Sequence, residues 1–148
     1  MQIEKTNAKN KDFIALVEQL DSELAIRDGD DHAFYDQFNK IDMIKYAVVL
    51  YDNGEAIACG SIKEFDNATV EVKRMYTIPK ERGKGVASMV LNKLEEWAKD
   101  LSYQRCILET GINQPEAIAL YNKCGYSRIE NYGQYKDVES SFCFEKKI

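Results

Sequence analysis

Histidine is nearly absent: the chain has one, His32. That argues against a zinc site, which draws its ligands mainly from Cys and His, and no metal is expected. Cysteine is sparse and unpatterned. Cys59, Cys106, Cys124 and Cys143 never fall at CxxC spacing, and each sits in an apolar or strand-like stretch. They read as structural free thiols in a reducing cytoplasm. No apolar run approaches the roughly 20 residues that span a bilayer. Met1-Gln2-Ile3-Glu4 lacks the basic and apolar regions of a signal peptide. No membrane association is therefore expected, and the expected location is cytoplasmic. Basic charge is not in excess either: Lys+Arg 20 against Asp+Glu 25 gives a net charge of −5 and a pI near 5.0. Such a chain is a poor non-specific partner for nucleic acid. Repeats, low-complexity tracts and linkers are missing, so residues 1–148 read as one domain that buries its core without staples.

What is present centres on residues 70–100. Val70, Val72, Tyr76 and Ile78 alternate with more polar neighbours, the period-2 pattern of a strand. Pro79 ends it. After Glu81-Arg82-Gly83-Lys84-Gly85 comes an amphipathic helix from Ala87, with Val86, Val90, Leu94, Trp97 and Leu101 at helical spacing. A helix N-terminus carries unpaired N–H groups and partial positive charge, so first turns favour Asp or Glu. Here Arg82 and Lys84 stand at that end, and Gly83 and Gly85 strip away side chains. A multiply charged anion such as a pyrophosphate docked on the bare amides would remove the conflict. A solvent-facing basic loop, with glycines for turn geometry, is the alternative. The GxxxxGK[ST] spacing of a Walker loop is missing.

The rest of the chain supplies the frame. A short first strand at Met1–Thr6 precedes an amphipathic helix over 11–26, with Phe13, Leu16, Val17, Leu20 and Leu24 on its apolar face. A second helix over 31–41 would carry Phe34, Tyr35 and Phe38, as core or as pocket wall. Strands over 46–51 and 56–65 flank Asp52-Asn53-Gly54-Glu55, a hairpin turn. A strand over 105–110 follows the crossover helix and should run parallel to the central one. Pro115 and Glu116 open a further helix, and Gly125 is expected to end it in left-handed conformation. Strands over 126–132 and 141–146 close the chain. The order is that of a mixed α/β sandwich.

Arg82-Gly83-Lys84-Gly85-Val86-Ala87 fits [QR]-x-x-G-x-[GA], and the Asn113…Tyr121…Gly125-Tyr126 segment follows in the right order. From about Tyr46 onward the chain resembles the GCN5-related N-acetyltransferase (GNAT) family. The resemblance implies a mixed, mostly antiparallel central sheet of about seven strands with helices on both faces. It implies acetyl-CoA as co-substrate, an amine acceptor and room for a homodimer. It also implies a division of labour. Arg82, Gly83, Lys84, Gly85, Val86 and Ala87 would hold the pyrophosphate, and the backbone of Met75, Tyr76 and Thr77 the pantetheine arm. Asn113 would bond that arm or order the helix start, and Lys123 would reach the phosphates.

Acetyl transfer to an amine needs a base, because an amine of pKa near 10 is protonated at pH 7. Glu71 precedes Arg82 by eleven positions, as does a general-base glutamate in histone-modifying relatives. Alternation places Glu71 on one face with Lys73, Met75 and Thr77. The alternative is an exposed strand carboxylate paired with Lys73. Tyr121, by the resemblance, would protonate the leaving thiolate; otherwise it is a core tyrosine. Tyr35, Arg74, Glu109 and Tyr135 are candidates for the acceptor pocket. No His or Asp is placed to activate a cysteine nucleophile, so direct transfer to a small-molecule or exposed peptide amine is expected. Two other classes compete. A non-catalytic acyl-CoA-binding regulatory module would not need Glu71 and Tyr121. A nucleotide-phosphate enzyme would need the missing Walker lysine and Mg²⁺ ligands.

Overall fold

The computed structural model describes residues 1–29 and 44–148. Strand β1 (Gln2–Thr6) leads to helix α1 (Lys11–Asp28). Asn10 caps α1, its side chain accepting the Phe13 N–H at 2.9 Å, which satisfies one orphan donor of the first turn. Phe13, Leu16, Val17 and Leu20 recur at helical spacing and are buried. The helix expected over 31–41, and with it His32, Phe34, Tyr35 and Phe38, lies outside the described residues.

Strands β2 (Tyr46–Asp52), β3 (Glu55–Asp66) and β4 (Thr69–Thr77) form a meander. Asn53 and Gly54 both take positive φ, 50° and 80°, as a tight two-residue hairpin turn requires. A 3₁₀ turn at Pro79–Glu81 precedes helix α2 (Val86–Asp100) and strand β5 (Arg105–Gly111). Helix α3 (Pro115–Lys123), β6 (Ser127–Ile129), a turn at Gly133–Tyr135 and β7 (Ser141–Lys147) complete the chain.

The seven strands make one sheet in the order β1-β2-β3-β4-β5-β7-β6. β4 and β5 are parallel, as the α2 crossover dictates, and the other neighbours are antiparallel. Helix α1 covers the face from which Arg74 and Tyr76 reach Asp21 and Gln19. Helix α2 covers the other, where Val90 and Leu94 crowd Gly60. Among the described residues no helix is long and apolar enough to cross a membrane.

Two expectations about elements need correction. The strand expected over 126–132 stops at Ile129. Asn131 Nδ2 donates to the Val138 and Ser141 carbonyls, both at 3.0 Å, and so draws the chain out of the ladder. The buried stripe of α2 is Val86, Val90, Leu91, Leu94 and Ala98. Leu101 lies past the last turn and is exposed, and Trp97 sits at the rim, edge-on to Tyr46 with ring centroids 5.2 Å apart.

Candidate active site

The site begins with a defect in β4. Between the pairs Ser61↔Lys73 and Cys59↔Tyr76, β3 advances two residues and β4 three. The extra residue is a bulge at Arg74, whose φ is +60°, a region that side-chain-bearing residues occupy at a cost. A bulge breaks strict alternation. Glu71 and Lys73 do share a face, but Tyr76 continues it, and Met75 and Thr77 turn to the opposite one. By the same step Val70 and Val72 part company with Tyr76. Met75 now packs over Gly60, where an added Cβ would lie 2.5 Å from its Sδ.

Next to the bulge the sheet splits. β4 and β5 pair only from Thr69↔Arg105 to Glu71↔Ile107. β5 continues against β7 to Gly111↔Ser141, and β4 continues against β3 to Thr77↔Ala58. The two parallel strands therefore diverge after Glu71, and the edge of β4 along Val72–Thr77 faces a gap. That gap opens into a cleft of about 490 Å³ whose walls include Met75, Tyr76, Thr77, Val86, Ala117 and Tyr121.

The far end of the cleft is the N-terminus of α2. Gly83 and Gly85 have φ of 78° and 80°, which glycine adopts without the Cβ penalty. Gly85 is the cap residue, no side chain caps the first turn, and no acidic residue lies in it. What remains is a row of first-turn amides with partial positive charge. The two cations expected in that turn precede it instead. Arg82 is extended, its Nε donates to the Thr77 carbonyl at 2.8 Å, and its guanidinium meets Glu23 at 3.0 Å. Lys84 pairs with Glu81 at 3.1 Å and does not line the cleft. The charge conflict inferred from the sequence is thus answered by two carboxylates of the chain itself. Gly83, Gly85, Ala87, Arg82 and Lys123 do line the cleft.

A smaller cavity of about 140 Å³ joins the first. Leu20, Met75, Gln114, Ala117 and Tyr121 line both, so Tyr121 stands where they meet. The smaller one brings together Glu71, Arg74, Glu109 and Tyr135, as well as Lys73. Tyr35 lies outside the described residues. Glu71 is buried, not an exposed strand carboxylate. Its Oε2 accepts the Tyr132 hydroxyl at 2.6 Å, and Lys73 Nζ lies 3.9 Å from Oε1. Burial, then the charge of Glu71, pushes the Tyr132 hydroxyl far above its ordinary pKa, so it remains a donor to that carboxylate. Burial also lowers the Lys73 ammonium, against the opposing pull of Glu71.

Tyr121 is a core residue as well as a site residue. It is 6 % exposed and packs edge-on to Tyr126 at 5.8 Å. Burial, then the charge of Glu109, raises its pKa above 10. Three of the four cysteines are poor nucleophiles: burial pushes the thiols of Cys59 and Cys106 up to about 12 and that of Cys143 to about 11.

Asn113 does not line the cleft. It is exposed and donates to the Arg27 carbonyl at 3.3 Å. Its neighbour Gln114, at the cap position of α3, is buried in the junction instead. Gln114 Oε1 accepts from Arg27 at 2.9 Å, and its Nε2 has no hydrogen-bond partner among the described residues. Gln114 and Tyr132 escaped the sequence reading. Tyr132 read as part of the last strand pair, and a residue before Pro115 carries no periodic signal.

A sheet wedged open beside a glycine-rich helix start is an architecture for holding an extended, phosphate-bearing ligand. Comparison with known proteins gives it a family. The Acetyltransferase (GNAT) family model matches residues 13–126, and the chain belongs to that family. It is 32 % identical over 97 residues to an IAA acetyltransferase of Azospirillum brasilense, covering 65 % of this chain. The match spans 63 % of that relative, under two thirds of its length. A solved Klebsiella pneumoniae structure described as an acyl-CoA N-acyltransferase superposes with TM-score 0.80 at 28 % identity, covering 99 % of this chain and 96 % of that one. A GNAT acetyltransferase from Elizabethkingia anophelis, solved with acetyl-CoA bound, superposes with TM-score 0.73 over 99 % and 97 % of the two chains. At 18 % identity it speaks for the fold alone.

Proposed function

We propose that this chain is an acetyl-CoA-dependent N-acetyltransferase that passes the acetyl group directly to a primary amine. The observation that carries the reading is the gap between β4 and β5, which runs from the bare N-terminus of α2 to Tyr121 and Glu71. The residues suit the cofactor. Amides of the first turn of α2, freed of side chains at Gly83 and Gly85, receive the pyrophosphate. The open edge of β4 at Met75–Thr77 offers backbone groups to the amides of the pantetheine arm. Arg82 holds that edge to the loop through Thr77, and so positions the cradle rather than binding phosphate itself.

In the transfer, the amine nitrogen bonds to the acetyl carbonyl carbon as the carbon–sulfur bond breaks. Glu71 takes the proton released by the amine, directly or through water. The Tyr132 hydroxyl fixes that carboxylate. Tyr121 gives its proton to the departing sulfur. Its raised pKa keeps it protonated at neutral pH, and the same dry surroundings raise the basicity of the thiolate. The test is a pH–rate profile of wild type and Glu71→Gln with one acceptor. The mutant should bind acetyl-CoA and turn over more slowly, and its deficit should shrink as pH nears the amine's own pKa. A constant ratio of rates across that range refutes the base.

A further inference from the structure

The smaller cavity has a composition that the transfer reaction alone does not require. A pocket for a simple cationic amine needs carboxylates and nothing positive. Here Glu71 and Glu109 share the lining with Lys73 and Arg74. Lys73 and Arg74 have counter-charges in Glu71 and Asp21, yet both repel an ammonium placed beside them, and an anion on the ligand would be drawn to them.

Two buried donors sharpen the point. Arg74 is anchored at one end by its ion pair with Asp21, yet its Nε has no hydrogen-bond partner among the described residues. Gln114 is turned so that Oε1 takes the Arg27 hydrogen bond, which leaves Nε2 as the end without a partner among the described residues. Both residues line this cavity. Leaving a buried donor unsatisfied is destabilising, and Arg74 is also held at positive φ by the bulge. Strain and unmet polar groups concentrate where a ligand will use them.

Size sets a further limit. The cavity's volume, about 140 Å³, is close to that of an engineered cavity known to take a benzene ring, so roughly six heavy atoms fit. We infer that the acceptor is a small zwitterion, an amine bearing a carboxylate a few bonds away. Its ammonium faces Glu71 and Glu109, and its carboxylate takes hydrogen bonds from Arg74 Nε and Gln114 Nε2. This rests on the transferase reading and names the substrate class for the same site.

The experiment measures thiol release from acetyl-CoA by the intact chain with alanine, β-alanine and γ-aminobutyrate. Each is compared with its carboxamide and with the alkylamine of matching length; putrescine is added as a dication. The best acid should exceed its amide and alkylamine in kcat/KM by about 10- to 100-fold, the worth of a hydrogen bond to a charged group. Arg74→Gln and Gln114→Leu should each collapse that ratio toward unity, while alkylamine turnover changes less. A merely structural loss lowers all three substrates together and leaves the ratio alone. If amines without a carboxylate, or putrescine, match the acids, or if neither variant moves the ratio, the zwitterion proposal is wrong and the transferase reading stands. If nothing turns over although acetyl-CoA raises the melting temperature, both fall, and a non-catalytic acyl-CoA-binding module replaces them.

Discussion

Gly60→Ala tests whether the packing around the bulge is as tight as its geometry says. Gly60 is not among the glycines with positive φ. On backbone grounds alone alanine there should stabilise the fold by about 0.4–1 kcal/mol. The new Cβ, however, would lie 2.5 Å from Met75 Sδ, 2.9 Å from Leu94 Cδ1 and 3.0 Å from Val90 Cγ1. Leu94 and Val90 are fully buried and have no room to retreat. Overpacking of this kind costs about 1–3 kcal/mol, so the clash should win by about 1–2 kcal/mol. For a chain of this length that is a fall of about 2–8 °C in melting temperature. Met75 is the flexible partner and lines both cavities, so it should yield toward them and raise KM for acetyl-CoA. The assay is urea denaturation of the four members of a Gly60→Ala, Met75→Ala cycle. The alanine at 60 should cost less by about 1 kcal/mol when Met75 is truncated, within the coupling range of contacting residues. A neutral or stabilising Gly60→Ala, or an equal cost in both backgrounds, refutes the reasoning.

The remaining predictions concern the cofactor, the acid and alkaline stability. Gly85→Glu should abolish the melting-temperature rise given by acetyl-CoA, whereas Gly85→Ala, which shares the strain at φ 80° without the charge, should lower stability and keep part of that rise; equal loss in both would remove the anion cradle. Tyr121→Phe should lower kcat by about 10²- to 10⁴-fold with acetyl-CoA affinity nearly unchanged, and a loss of only a few-fold on a good acceptor would leave Tyr121 as packing. Seven of the nine tyrosines have raised pKa values, among them Tyr51 and Tyr103 at about 12. Raised folded-state values favour the protein fully below the unfolded value near 10 and less as pH climbs past it, so denaturant stability should hold to about pH 10 and fall above, and an unchanged midpoint well above that pH would contradict the tyrosine burial.

The elements were legible because their signals are local. Phe13, Leu16, Val17 and Leu20 at helical spacing, Asn53-Gly54 between alternating runs, and Pro115 at a helix start each act within a few residues. Tyr121 and the glycine turn could be read for the same reason, since a motif packs its information into adjacent positions. What could not be read depends on distant contacts. Arg82 looked like an uncompensated cation because Glu23 lies 59 positions away, and nothing in the sequence announces that α1 delivers it; the partner of Lys84, Glu81, is local. The sequence leaves Glu71 open between a site carboxylate and an exposed one, because the Tyr132 that bonds it lies 61 positions away. The family motif points to Asn113 and says nothing of Gln114, yet the fold turns the first outward and buries the second.

The bulge at Arg74 is where these threads meet. A regular β4 would keep Glu71, Met75 and Thr77 on one face of the sheet. One inserted residue puts Glu71 on one face and Met75 on the other. It sits just beyond the last β4–β5 pair, Glu71↔Ile107, where a locally increased twist turns the strand from its neighbour. The same insertion therefore opens the edge that receives a ligand and delivers the carboxylate to its inner end. Deleting Arg74 would keep Glu71 and Met75 on opposite faces, because Glu71, Lys73 and Tyr76 would then alternate regularly with Val72, Met75 and Thr77. What it would remove is the residue at φ +60° and the local twist that turns β4 from β5. The strain of a non-glycine residue there is thus coupled to the shape of the site.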